Sequence, residues 1–243
     1  MLEQDLDLAK RVQQAFLPAK YPDMPGFSFY HFYQPAQRIG GDYFDYIPLP
    51  DERIAIVVAD VVGHGISAAM LMAKLSAETR FALASNQSVN RAISSLNSSI
   101  SGLGVEKFIT FLCLVLDPKS GKIEIVNAGH MPPLWRRNGV GIEQPGEDES
   151  GLPLGVMDEV DYECSSITLA PGERLLLYTD GIHEAPNAAG DCFGIKALTK
   201  LFASTRDDVV DIGENLTKSI VQYIEGTTQA DDMCLLVLGR QAE

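Results

Sequence analysis

Cysteine is scarce and scattered: Cys113, Cys164, Cys192 and Cys234 lie far apart, with no C-x-x-C spacing. A thiolate zinc site or a disulfide framework needs tighter clustering, so neither is expected. Cys113 and Cys234 fall inside apolar runs, where a thiol packs as a small hydrophobe. Positive charge is also short, with 19 Lys and Arg against 33 Asp and Glu and a net charge of −14. No Lys/Arg run interrupts that field, which repels nucleic acid and anionic lipid. No uncharged stretch reaches the ~18 residues of a membrane span. The opening MLEQDLDLAKRVQQAFLP is charged and periodic, without an apolar core and cleavage site, so it does not read as a secretory signal and a cytoplasmic compartment is expected. Missing too are a P-loop, a G-x-S-x-G elbow, a dinucleotide G-x-G-x-x-G after a strand, and an EF-hand loop. The common nucleotide-binding, serine-hydrolase and calcium-loop chemistries therefore lack their signatures.

What the chain does have is a sizeable apolar content, 46% of 243 residues with mean hydropathy +0.02, enough for one large β-rich domain. Leu2, Leu6, Ala9, Val12, Gln13 and Phe16 form one stripe at helical spacing, ended by the three prolines of LPAKYPDMPG. Strand-like segments follow at Phe27–Tyr33, Tyr43–Pro48 and Arg53–Asp60, then two helices at Ile66–Ala84 and Val89–Ile100. FITFLCLVLD, KIEIVNAGH and LWRR read as strands in short-turn series, Gly139–Gly155 as a loop, and Tyr162–Leu169 with Arg174–Tyr178 as a hairpin across APGE. Helices at Gly194–Ala203 and Arg206–Ile224 and a last strand at Met233–Gly239 complete the pattern. Strand series interrupted by helix pairs predict an α+β layered fold, two sheets with helices outside.

Acidic residues beside short apolar runs carry the chemical signal: Asp42 in IGGDYFD, Asp60 in IAIVVADVVGHG, Asp180 in RLLLYTDGIHEA, and Asp231–Asp232 in ADDMCLLVLG. A carboxylate at the mouth of a buried strand costs several kcal/mol unless paired, and a hard divalent cation offsets that cost. Gly40 and Gly41 let the backbone approach a ligand closely before Asp42. Asp45 would face the side opposite Asp42 and serve structurally. Strand alternation lets only one of Asp231 and Asp232 face the metal side. His64, between two glycines, reads either as a metal ligand, phosphate contact or acid, or as a locally satisfied loop residue. Glu184 and His183 rank behind Asp180.

In order, GGDYFD, ADVVGHGISAAM, NAGHMPPLW, GLPLG, YTDGIHEA and ADDMCLLVL resemble the motifs of the metal-dependent serine/threonine phosphatases of type 2C, the PPM family, over roughly residues 12 to 238. Within that family the motifs are most similar to the bacterial stress-response and sporulation branch typified by RsbU and SpoIIE. The resemblance implies a central β-sandwich of two antiparallel sheets flanked by helices, with two Mn²⁺ or Mg²⁺ ions sharing a water at one end. By motif position Asp60 would bridge both ions, Asp42 and the Val61 carbonyl would complete one, and Asp180 and Asp231 the other, with Asp232 as second choice. Asp60 and Asp180 would then act catalytically through that water. Type 2C relatives carry a His two residues beyond the bridging Asp, whereas His64 lies four beyond Asp60. Arg38, four residues before Asp42, is either a phosphate contact or a surface Arg. The implied substrate is phosphoserine or phosphothreonine on a partner, a phosphorylated anti-sigma-factor antagonist of the STAS type. Residues 1–17 resemble the end of a linker helix joining an upstream sensor or receiver domain, with homodimerisation through it a further expectation, and 18–243 form the phosphatase domain. Rival readings are a silent pseudophosphatase that only binds its partner, and a small-molecule phosphoesterase.

Overall fold

The computed structural model describes residues 2–204 and 208–242. Helix α1 (Leu2–Gln14) opens the chain, and the prolines after it hand over to β1 (Phe27–Gln34), β2 (Tyr43–Pro48) and β3 (Ile54–Val61). Two helices follow, α2 (Ile66–Ser85), rich in strong helix formers, and the more polar α3 (Val89–Ser101). Then come β4 (Ile109–Leu116), β5 (Lys122–Ala128), β6 (Leu134–Arg137), β7 (Gly141–Glu143), β8 (Ser165–Thr168) and β9 (Arg174–Tyr178). The chain continues through α4 (Asp180–His183), α5 (Ile195–Ser204), α6 (Val209–Tyr223) and β10 (Met233–Arg240). The expected helix start at Arg206 lies outside the described residues; α6 begins after Asp208, whose carboxylate accepts the Val210 and Asp211 N–H groups. Among the described residues no helix is long and apolar enough to cross a membrane.

The strands form two antiparallel five-stranded sheets, ordered β1-β10-β9-β6-β7 and β2-β3-β4-β5-β8. Side-chain alternation explains the layers. In β3, Ala55, Val57, Ala59 and Val61 pack outward under α2 and α3, while Ile54, Ile56 and Val58 point between the sheets. In β10, Met233, Leu235 and Val237 pack under α6 with Ile212, Leu216 and Ile220, while Cys234, Leu236 and Leu238 meet the other sheet. Burying such side chains on both faces contributes about 1.5–3 kcal/mol each. The result is the expected sandwich flanked by helices.

Three local expectations fail. The hairpin across APGE does not form: β8 pairs with β5, whereas β9 pairs with β10 and β6 in the opposite sheet. The buried Glu173 carboxylate explains the crossing, because it accepts from Ala170 N at 3.1 Å, Trp135 Nε1 at 3.2 Å and Asn138 N at 3.2 Å, tying the turn to β6 and its continuation. LWRR likewise leaves the β4–β5 series for the other sheet, pairing with β9. The segment expected as a plain loop contains β7, which turns back on β6 with Trp135 opposite Glu143.

Candidate metal centre

Alternation also decides which carboxylates meet. Phe44 and Tyr46 of β2 point between the sheets, so Asp42 shares that face. The same parity carries Asp60 beyond Ile56 and Val58, Thr110 before Leu112, Thr179 beyond Leu175 and Leu177, and Asp232 before Cys234. All lie toward one end of the sandwich, where Asp60 stands opposite Thr110 in the β3–β4 register. Asp45 has the opposite parity: its fully buried carboxylate takes Arg80 of α2 at 2.7 Å and the Tyr43 hydroxyl at 2.7 Å, and so stitches β2 to α2.

Each acid is placed by a different device. Asp42, 1% exposed, accepts the Thr179 hydroxyl at 2.7 Å, while that hydroxyl accepts the Cys234 N–H at 3.0 Å. Asp60 is the last residue but one of β3 and hydrogen-bonds Asp42. Asp180 follows Thr179 as the first residue of α4, and Gly181 packs so closely on the Asp232 carbonyl that a Cβ there would collide with it. Asp232 closes the loop before β2, accepting N–H bonds from Gly41 at 2.6 Å, Ala36 at 2.7 Å and Asp42 at 3.4 Å. A Cβ on Gly41 would stand 3.0 Å from the Val61 carbonyl, so the glycine lets that oxygen sit beside the Asp42 loop. Asp231 is exposed, and its Oδ1 accepts the Asp232 N–H at 2.8 Å. The two neighbouring acids thus divide: Asp232 is committed to backbone donors, and Asp231 faces solvent at the rim.

The electrostatics are those of crowded negative charge. Burial, then the charges of Asp60 and Asp232, raise the Asp42 carboxyl well above the ordinary carboxylate range, against the Thr179 bond. Burial, then Asp180 and Asp231, push Asp60 up to about 7. Asp180 is raised by burial and by Asp231, and Asp232 by burial against its three backbone donors. Among the described residues no three His, Cys, Asp or Glu side chains stand as a ready-made ion cage. An all-oxygen donor set of carboxylates and one backbone carbonyl fits Mg²⁺ or Mn²⁺ rather than a softer ion.

Arg38 and His64 are not drawn into the cluster. Arg38 points back to α1, 2.7 Å from Asp7 and 3.6 Å from Glu3, because two carboxylates on the helix surface offer it a solvated partner. His64 is exposed in the loop after β3, its Nδ1 3.3 Å from Gln37 Nε2. Three positioning groups escaped the sequence reading. Thr179 lay inside a quoted motif. Gln13 was counted only as part of the helical stripe, yet its side chain donates to Gly40 O at 2.6 Å and accepts Gly40 N–H at 3.0 Å. His130, in NAGH, bridges Thr110 and Tyr178. Parity could have placed Thr179 on the inner face; nothing local reveals the other two.

The sequence profile of stage II sporulation protein E matches residues 50–241. The chain belongs to the SpoIIE family. Among SpoIIE-related proteins, IcfG of Synechocystis is 26% identical over 97% of this chain and 41% of its own length. RsbP of Bacillus subtilis, named a phosphoserine phosphatase, is 25% identical over 97% of this chain and 58% of its own. The chain therefore spans about half the length of these relatives. The solved RsbU and RsbW domains of a Mycobacterium tuberculosis protein superpose with a TM-score of 0.79 at 28% identity, covering 93% of this chain and 63% of that one.

Proposed function

We propose that this SpoIIE-family chain is a divalent-cation-dependent protein phosphatase domain acting on phosphoserine or phosphothreonine. The observation that carries the reading is the meeting of Asp42, Asp60, Asp180 and Asp231, from four separate segments, at one end of the sandwich, with burial and mutual repulsion raising the carboxyls of the first three. Two Mn²⁺ or Mg²⁺ ions held there would supply charge neutralisation for a phosphoryl group and activate water near neutral pH. Asp60, at the end of one sheet, and Asp180, after the last residue of a strand in the other, would hold the pair from opposite sides. Asp42 and the Val61 carbonyl would complete one ion, and Asp231 the other. Asp232 instead fixes the loop that carries Asp42. Arg38 and His64 would reach substrate only by leaving their present partners.

The name of RsbP supports phosphoserine chemistry, and the stress-response motifs support a phosphorylated anti-sigma-factor antagonist of the STAS type as the cytoplasmic substrate. Helix α1 would be the end of a linker from an upstream sensor or receiver domain, through which the chain would also dimerise. Phosphate release from such a phosphorylated antagonist, with Mn²⁺, Mg²⁺ or chelator, tests the reading. Asp180→Asn is expected to lower turnover by at least about a hundredfold. Identical turnover in the variant would reject the enzymatic assignment and leave a partner-binding role. Faster hydrolysis of small phosphate esters than of phosphoprotein would reject the protein substrate.

A further inference from the structure

We propose that His130 is a positioning residue for the ion pair, a rigid spacer between the two sheets that sets how far Asp60 stands from Asp180. The inference rests on the metal reading above and adds a residue that touches neither ion nor substrate.

The imidazole is 4% exposed and lies in the turn between β5 and β6. Gly129, at φ +69° and packed against Pro153, turns the chain inward just before it. Asn127 then locks the turn, its side-chain Oδ1 accepting His130 N–H at 2.8 Å and its side-chain Nδ2 donating to His130 O at 2.9 Å. With the backbone fixed, the ring reaches both sheets: Nε2 is 3.0 Å from the Tyr178 carbonyl, and Nδ1 is 2.8 Å from the Thr110 hydroxyl. A carbonyl can only accept, so the Nε2 proton points to Tyr178 and Nδ1 takes the Thr110 hydrogen. That assignment gives the Tyr178 carbonyl a buried donor at the strand end.

The two contacts sit beside the acids. Thr110 is the register partner of Asp60 in one sheet, and Tyr178 lies two residues before Asp180 in the other. Most inter-sheet contacts are aliphatic, as between Val58, Leu112, Leu177 and Leu236, and such contacts hold area without fixing direction. Two directional bonds to a flat ring fix both separation and angle. An ion pair held from opposite sheets needs that separation to within a few tenths of an ångström, and loss of a group orienting its ligands costs about 10–100-fold in affinity.

The test compares His130→Ala and His130→Gln with Ile123→Ala, a buried control at the far end of the same sandwich. Mn²⁺ affinity is measured by calorimetry below each variant's unfolding temperature, alongside kcat and KM on phosphoprotein. His130→Ala is expected to bind Mn²⁺ at least about tenfold more weakly and to lose kcat with little change in KM. His130→Gln, able to keep a donor toward Tyr178, is expected to recover part of both. Ile123→Ala is expected to lose stability and keep Mn²⁺ affinity. Wild-type affinity in His130→Ala, or an equal loss in Ile123→Ala, overturns the proposal while leaving the metal reading intact. A wild-type protein that binds no Mn²⁺ overturns both. Should His130→Ala fail to fold, Thr110→Val removes one end of the bridge alone; unchanged Mn²⁺ affinity there overturns the proposal, and weakening by about threefold or more supports it.

Discussion

Thr179 joins Asp42 to Cys234 with a single hydroxyl, across 137 residues on one side and 55 on the other. Such groups are invisible to local pattern, because a Thr at a strand end is unremarkable until its partner is known. His130 is the same kind of residue, and its burial has a thermodynamic signature. Desolvation pushes its pKa down to about 4, against the Tyr178 bond, while the unfolded imidazole titrates near 6.5. As pH falls through that window the unfolded chain takes up the proton first, so the stability associated with His130 is complete above pH 6.5 and drains away toward pH 4. The carboxylates titrate in both wild type and His130→Gln, so the difference between the two isolates the imidazole. In chelator, that difference in unfolding free energy is expected to shrink by on the order of 2 kcal/mol between pH 7 and pH 5, measured by urea melts. A flat difference would mean the imidazole is free to charge in place.

Helix α1 is fastened to the rest of the chain largely through polar contacts. Leu8 and Val12 stay exposed, while Gln13, 7% exposed, clamps the backbone of Gly40 and Asp7 holds Arg38. Gly40 lies two residues before Asp42, so the helix grips the very loop that Asp232 closes. Gln13→Ala is therefore expected to weaken Mn²⁺ binding by about tenfold, more than Asp7→Ala, whose ion pair with Arg38 is solvated. Deletion of residues 1–17 with unchanged affinity, activity and dimerisation would remove any regulatory part for α1. Most elements were legible from periodicity: α1, α2, β3, β4 and β10 are long and cleanly patterned. Apart from β7, three residues hidden in a Gly-rich segment, the errors were of partnership. β8 and β9 have correct strand character, but Glu173 and its two long-range donors, Trp135 and Asn138, send them to different sheets, and no window of sequence holds that information. In the candidate centre the acids were legible because a carboxylate beside an apolar run is anomalous, whereas Gln13, Thr179 and His130 are ordinary residues made special by distant partners.

The sandwich as a unit is asymmetric in charge, its apolar interior opening at one end onto stacked carboxylates in a chain of net charge −14. Divalent cations that bind only the folded form would stabilise it by mass action, about 2.7 kcal/mol at a hundredfold excess over Kd. A thermal melt in saturating Mn²⁺ is expected to show that gain in wild type and to lose it in Asp60→Asn; an equal shift in both would place the ions elsewhere. The parity that gathers Asp42, Asp60, Thr179 and Asp232 has a consequence for how this protein can diverge. Loops can lengthen at little cost, but one residue inserted between Ile54 and Asp60 would rotate the carboxylate to face α2, with the hydrophobic strand still able to pair. Descendants of this chain are thus free to vary their connections and forbidden to change the count of steps from core to mouth, so that strand length, more than composition, is the heritable record of the chemistry.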